Sequence, residues 1–175
     1  KMLAKEKFDV YGLDNSNQAI NVCKKILKSK NLKAKLKIQD MENLQYPKSS
    51  MDAVIDIFSS CCLDQSSGLK YIKKVQKILK RGGIFFSYFP SKNSDTWTQE
   101  RNKKNFIDPY TLKGIFRKTA PYYGNNYSLR FLSVNEYSNI LKRSKFKIQY
   151  LETTSRTYRS QKEYFEFIVV EAKKI

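Results

Sequence analysis

FDVYGLDNS, residues 8–16, reads as a short buried strand from Phe8 to Leu13 that closes on an acidic residue, Asp14. Asn15-Ser16 then offers N-cap chemistry for a helix reaching about Lys30, with Ala19, Ile20, Cys23, Ile26 and Leu27 on one face. Upstream, KMLAKEK reads as the tail of a helix. The chain therefore reads as the back two-thirds of an α/β domain taken up in mid-helix. The glycine-rich strand-to-helix turn that should precede such a strand is expected upstream of Lys1.

Working outward from that stretch, Leu36-Lys37-Ile38 is a second strand ending at Asp40. The turn QYPKSSMD leads to AVIDIF, a third strand apolar at nearly every position, as expected of one buried on both faces. Gly68 to Lys80 reads as an amphipathic helix with Leu69, Ile72, Val75 and Leu79 inward, stopped by Arg81-Gly82-Gly83. Ile84 to Phe89 is a fourth strand. Strands alternating with helices predict βαβ units, hence a Rossmann-like α/β fold with a mostly parallel sheet. The last two strands, Phe146 to Glu152 and Glu163 to Ala172, predict a C-terminal antiparallel hairpin after a helix over Val134 to Arg143, with a polar loop between them. All 175 residues read as one domain. Residues 90–131 break the alternation with Trp97, Phe106, Tyr110, Phe116, Tyr122, Tyr123 and Tyr127, and read as an aromatic insertion of lid or substrate-binding type.

Composition narrows the function classes. A hydrophobic fraction of 41% excludes a disordered tail. A net charge of +18 from 34 basic and 16 acidic residues could attract nucleic acid or a phosphorylated substrate. The lysines are spread over helix faces, however, so nucleic acid is not the favoured partner. Cys23, Cys61 and Cys62 form neither a metal-spaced set nor an even disulfide framework, so no metal site and a reducing, cytoplasmic home are expected. No run is long and apolar enough to span a membrane.

In an open parallel sheet, ligands bind beyond the carboxyl ends of the strands, which singles out Asp14, Asp40-Met41 and Ile57-Phe58. A carboxylate at Asp14 suits paired ribose hydroxyls, and Asp40 suits an adenine amino group. At this point VYGLDNS, IQDMENLQYPKSSMDAVIDIFS and VQKILKRGGIFFS together resemble the class I S-adenosylmethionine-dependent methyltransferases. Arg81 stands where that family's turn carries proline, and CCLD, residues 61–64, stands where relatives often carry histidine. The resemblance covers nearly the whole chain outside the insertion. It implies S-adenosyl-L-methionine as cofactor, held by Asp14, Asn15, Asp40, Met41, Ile57 and Phe58, with the glycine-rich loop supplied from upstream of Lys1.

Methyl transfer is mostly positioning, because a sulfonium methyl is already activated. With no histidine in the chain, a base or acceptor-orienting group is sought in the insertion, at Asp95, Asp108 or Tyr122, with Glu100 and Tyr123 as lesser candidates. Taken singly, each of these reads more readily as a surface or packing residue. Trp97 and Tyr123 could stack on a ring, and Arg156 and Arg159 could hold a phosphate or carboxylate. The predicted activity is methylation of a small polar acceptor, a sugar or nucleotide-linked sugar. The alternatives are an RNA methyltransferase and a methyltransferase-like binding or scaffold protein without activity.

Overall fold

The computed structural model describes residues 1–175, which divide into two compact units, 1–45 and 46–175. In the first unit, the short helix α1 (Met2–Lys5) is followed by β1 (Tyr11–Asp14), α2 (Asn17–Ser29) and β2 (Lys35–Ile38). β1 and β2 pair in parallel, with Tyr11 opposite Lys35 and Asp14 opposite Ile38. Ser16 caps α2 as expected, its hydroxyl oxygen accepting from the Ala19 amide at 3.2 Å. The helix ends where Asn31 turns left-handed and the Leu32 amide donates back to the Leu27 carbonyl. Only Ile20 and Leu27 of the expected apolar face are buried; Cys23 is half-buried, while Ala19 and Ile26 are exposed. Two strands are too narrow a platform to cover a full helix face. The first strand is also shorter than expected, leaving Phe8 exposed before it.

The second unit is built on β3 (Met51–Ile57), α3 (Gln65–Ile78), β4 (Leu79–Pro90), α4 (Asp95–Thr98), β5 (Phe106–Asp108), β6 (Thr111–Leu112), β7 (Leu129–Arg130), α5 (Val134–Arg143), β8 (Phe146–Tyr158) and β9 (Glu163–Lys174). Its main sheet has the order β3-β4-β9-β8. β3 and β4 are parallel; β9 runs antiparallel to both β4 and β8. The expected parallel pairing is present in β1–β2 and β3–β4 and the expected C-terminal hairpin makes the main sheet mixed, while β1–β2 forms a separate sheet. The C-terminal hairpin is present and longer than predicted. Thr153 to Tyr158 continues in register with β9, so Arg156 lies in a strand and only residues 159–162 form the turn.

α3 begins earlier than the apolar spacing suggested, because the Asp64 side chain accepts from the Ser67 amide at 2.8 Å and caps it. It also ends earlier. Leu79 already opens β4, and Arg81-Gly82-Gly83 lies within that strand, where Gly82 has φ +78° and the register with β3 shifts. Tyr71, Ile72, Val75 and Ile78 fill the inward face of α3, while Leu69 stays exposed. β3 departs furthest from expectation: Ile55 is 43% and Ile57 59% exposed, whereas the charged Asp56 between them is only 3% exposed. β3 is the edge of its sheet. Side chains alternate across it, so the Asp56 side, level with Ser87 of β4, meets the helices and the isoleucine side does not. No helix is long and apolar enough to cross a membrane.

The insertion is a structured element. α4 leads into the small antiparallel sheet β5-β6-β7, whose Leu112 and Leu129 are buried along with Ile115 and Phe131. Phe165 lies 6.0 Å from Phe131 and anchors that core to β9.

Candidate functional site

In the first unit the carboxyl ends of β1 and β2 lie side by side, with the Gln39 amide donating to the Asp14 carbonyl at 3.0 Å. Both strand ends carry an exposed carboxylate. Asp14 Oδ1 accepts from the Ser16 amide and Asp40 Oδ1 from the Glu42 amide, each at 2.8 Å. Those local bonds orient each carboxylate through Oδ1 alone, the arrangement of an Asx turn. Asn15 is exposed beside Asp14, and Met41 is half-buried beside Asp40. Two oriented carboxylates on adjacent strand ends suit ligand hydroxyl and amino donors.

In the second unit Ile57 and Phe58 follow the carboxyl end of β3. Phe58 takes a left-handed backbone (φ +55°), with its amide donating to the Tyr88 carbonyl at 3.0 Å. Such a conformation is strained for a residue with a Cβ, and strain of this kind gathers at functional turns. The Phe58 ring stands 5.2 Å from Tyr122 and 5.7 Å from Phe167, and Phe167 stacks on Tyr88 at 4.4 Å. Phe58 and Tyr122 are thereby brought together across 64 residues of chain.

A cavity of about 450 Å³ opens beside Tyr122, lined also by Ala120, Pro121, Tyr123, Tyr158 and Arg159. Burial pushes the Tyr122 hydroxyl well above its ordinary range, and its hydrogen bond with Tyr158 adds to the shift. It therefore keeps its proton at neutral pH. Arg156 packs its guanidinium over the Tyr158 ring at 5.1 Å. Of the residues expected to meet a substrate, Tyr122, Tyr123 and Arg159 share this cavity, and Arg156 flanks it through Tyr158.

The remaining candidates are engaged elsewhere. Trp97 packs edge-on against Phe106 at 5.3 Å and against Phe131 at 5.4 Å, inside the insertion. Asp95 accepts from the Tyr164 amide at 2.6 Å. Asp108 accepts from the Tyr110 amide, the Thr111 hydroxyl and the Gln65 amide at the start of α3. Their carboxylates bind the insertion together and to the sheet. Asn105 likewise takes up Glu100, donating to it at 2.8 Å.

A buried polar network lies behind Phe58. Asp56 Oδ1 accepts from the amides of Ser59 and Ser60, and burial raises its carboxyl above the usual range against the pull of those bonds and of Arg130. Arg130 donates to the carbonyls of Asp64 and Ser60 and lies 5.2 Å over the Phe89 ring. Gly68 makes room for it: a Cβ there would stand 1.5 Å from Arg130 Nη1. Tyr137 donates to the Ser87 hydroxyl at 2.6 Å. Cys61 is buried, which pushes its thiol up, while the Cys61 thiol beside it holds half-buried Cys62 below the ordinary range. No group of three or more His, Cys, Asp or Glu side chains is gathered as a metal site.

Parallel strand pairs with ligand-type residues at their carboxyl ends, and an antiparallel hairpin closing a mixed sheet, make a methyltransferase-like α/β fold. Residues 1–83 match the family model described as methyltransferase domain. Among solved structures, the chain resembles a SAM-dependent methyltransferase from Methanosarcina mazei (21% identity, TM-score 0.76, covering 99% of this chain and 85% of that one). It also resembles a S-adenosylmethionine-dependent methyltransferase from Clostridium acetobutylicum (18% identity, TM-score 0.67, covering 96% and 77%). The [4+2]-cyclase SpnF shares the fold as well (13% identity, TM-score 0.67, covering 99% and 68%). Identities this low speak for the fold alone. No curated protein sequence matches the chain. Both of these named methyltransferases are described as dependent on S-adenosylmethionine.

Proposed function

We propose that this chain is a S-adenosylmethionine-dependent methyltransferase acting on a small polar acceptor of the sugar or nucleotide-linked sugar type, in a reducing, cytoplasmic setting. The observation that carries the reading is the pair of exposed, Oδ1-oriented carboxylates, Asp14 and Asp40, at adjacent strand ends. That donor set fits the nucleoside of the cofactor: Asp14, with Asn15, for the ribose hydroxyls, and Asp40, with Met41, for the adenine. Ile57 and Phe58 supply an apolar wall at the end of β3. The bound cofactor supplies an electrophilic sulfonium methyl group. The protein's own residues have to bind, orient and exclude water. In this reading Tyr122 donates a hydrogen bond to an acceptor oxygen, and the insertion shields it as a lid.

The deciding experiment is calorimetric titration of S-adenosylhomocysteine into the protein and into Asp14→Ala. Removal of a carboxylate that accepts two ribose hydroxyls should weaken binding by about 1–3 kcal/mol. Unchanged affinity would remove Asp14 from the site, and no binding even by a form extended upstream of Lys1 to include the glycine-rich loop would favour a scaffold role without activity.

One observation favours an RNA acceptor instead. Lys70, Lys73 and Lys77 are exposed at i, i+3 and i+7 along α3, a lysine stripe where the sequence suggested dispersal. RNA affinity that falls steeply with added salt, and more gently once these three lysines are changed to glutamine, would support that reading.

A further inference from the structure

The tyrosine cavity does not stand alone. A second cavity, about 550 Å³, is lined by Gln99, Arg117, Thr119, Arg159, Ser160, Lys162 and Glu163, so Arg159 is a wall of both. Charge in the second cavity is uneven. Arg117 and Glu163 neutralise each other through a two-pronged ion pair, with Nη1 to Oε2 at 2.9 Å and Nη2 to Oε1 as the other prong. Glu163 is the only carboxylate in the lining, so Arg159 and Lys162 face the cavity without a compensating acid. Arg159 is not loosely held: its Nη2 donates to the Lys118 carbonyl at 2.7 Å, tying the hairpin turn to the insertion. The turn itself is strained, with Arg159, Ser160 and Gln161 at φ +51°, +55° and +68°, three consecutive left-handed residues none of which is glycine. A hairpin turn that must only reverse the chain has cheaper solutions, and backbone strain held in place by surrounding contacts gathers at ligand sites.

From this geometry we infer that the two cavities are one binding site for a ring-bearing anion: an aromatic or heteroaromatic ring against Tyr122, Tyr123 and Tyr158, joined to a phosphate or carboxylate held by Arg159 and Lys162. Guanidinium and ammonium donors with the Ser160 and Thr119 hydroxyls match the acceptor-rich oxygens of such a group. Tyrosine rings supply the apolar wall and phenol hydroxyls at its edge. The inference rests on the methyltransferase reading in one respect only: it places the site on the acceptor side, because Tyr122 is the ring that contacts Phe58 at the end of β3.

The test is a set of titrations at low salt, monitored by calorimetry, with phenyl phosphate, benzoate, phenol and inorganic phosphate as probes. Phenyl phosphate or benzoate should bind at least tenfold more tightly than either phenol or phosphate, and the stronger of the two names the anion. Arg159→Gln and Lys162→Gln, both on the exposed turn, should each lower that affinity several-fold, and Tyr123→Ala should erase the preference for the ring. Equal binding of phosphate and phenyl phosphate would overturn the joined site, as would indifference to Arg159→Gln. S-adenosylhomocysteine titrated into the same variants separates the two readings. Unchanged nucleoside binding in Arg159→Gln keeps the anion site on the acceptor side, and a parallel loss would overturn that placement. Failure of the protein to bind S-adenosylhomocysteine even when extended upstream of Lys1 would sink the methyltransferase reading while leaving the phenyl phosphate result to stand.

Discussion

The carboxylates at the strand ends of residues 1–45 and those of the insertion differ in how much of their bonding capacity the protein itself consumes. Asp14 and Asp40 each accept one local amide through Oδ1 and remain exposed. Asp108 accepts from three groups on two elements, and Glu166, buried on β9, accepts from Ser91, Asn93 and Tyr164. An acid whose bonds are spent on its own fold is structural; one with bonding capacity left over at a strand end is available to a ligand. Similar side chains thus divide into two roles by what surrounds them.

The largest effect expected from breaking the engaged side is at Gly68. Gly68→Ala should expel the Arg130 guanidinium from its two carbonyl partners and destabilise the protein by about 3–5 kcal/mol, read from urea unfolding. Next, Asp108→Ala should lower stability by about 2–4 kcal/mol, since it strands the Gln65 and Tyr110 amides. Asp14→Ala, on the available side, should stay within about 0.5 kcal/mol of the parent in the same assay while losing cofactor affinity. If both aspartates shifted stability alike, the division would fail.

Asp56 sharpens the contrast through pH. Burial raises its folded carboxyl above the unfolded value of 3.8, so its favourable contribution is complete below that pH and is lost as pH rises through the raised folded value. Asp56→Asn, which can still accept from Ser59 and Ser60, should therefore be more stable than the parent at neutral pH and indistinguishable from it near pH 3. A thermal melt series across that range decides it. Smallest is a difference in reactivity with no effect on stability: iodoacetamide should label Cys62 well before Cys61, because Cys62 is half-buried with a lowered thiol pKa and Cys61 is sealed. Mass spectrometry of the labelled peptide would show the order.

The strand-end residues were legible because their signal is local. Asp14, Asp40 and Phe58 each end an apolar run, and Ser16 and Asp40 cap the turn that follows. Arg130 was not legible, because its partners are backbone carbonyls 66 and 70 positions away and a carbonyl leaves no mark on the residue type. Nor was the role of Asp108, whose spacing from Gln65 only the folded insertion explains. Ile55 and Ile57 misled in the opposite sense. Their hydrophobicity predicts two covered faces, while the edge position of β3 in its sheet leaves theirs open. The hairpin was recognised but cut short, since polar residues such as Thr153 to Arg156 conceal a strand whose pairing is continuous.

That open edge bears on how the protein behaves in the test tube. An edge strand with two outward isoleucines is a template for a further strand, such as the one expected upstream of Lys1, and where that rim stays open the shared charge of +18 opposes its sticking to a second copy. Raising ionic strength shortens the reach of that repulsion from roughly 30 Å at 10 mM salt to about 3 Å at 1 M. High-salt purification and ammonium sulfate crystallisation would therefore favour association of copies in which that rim stays open.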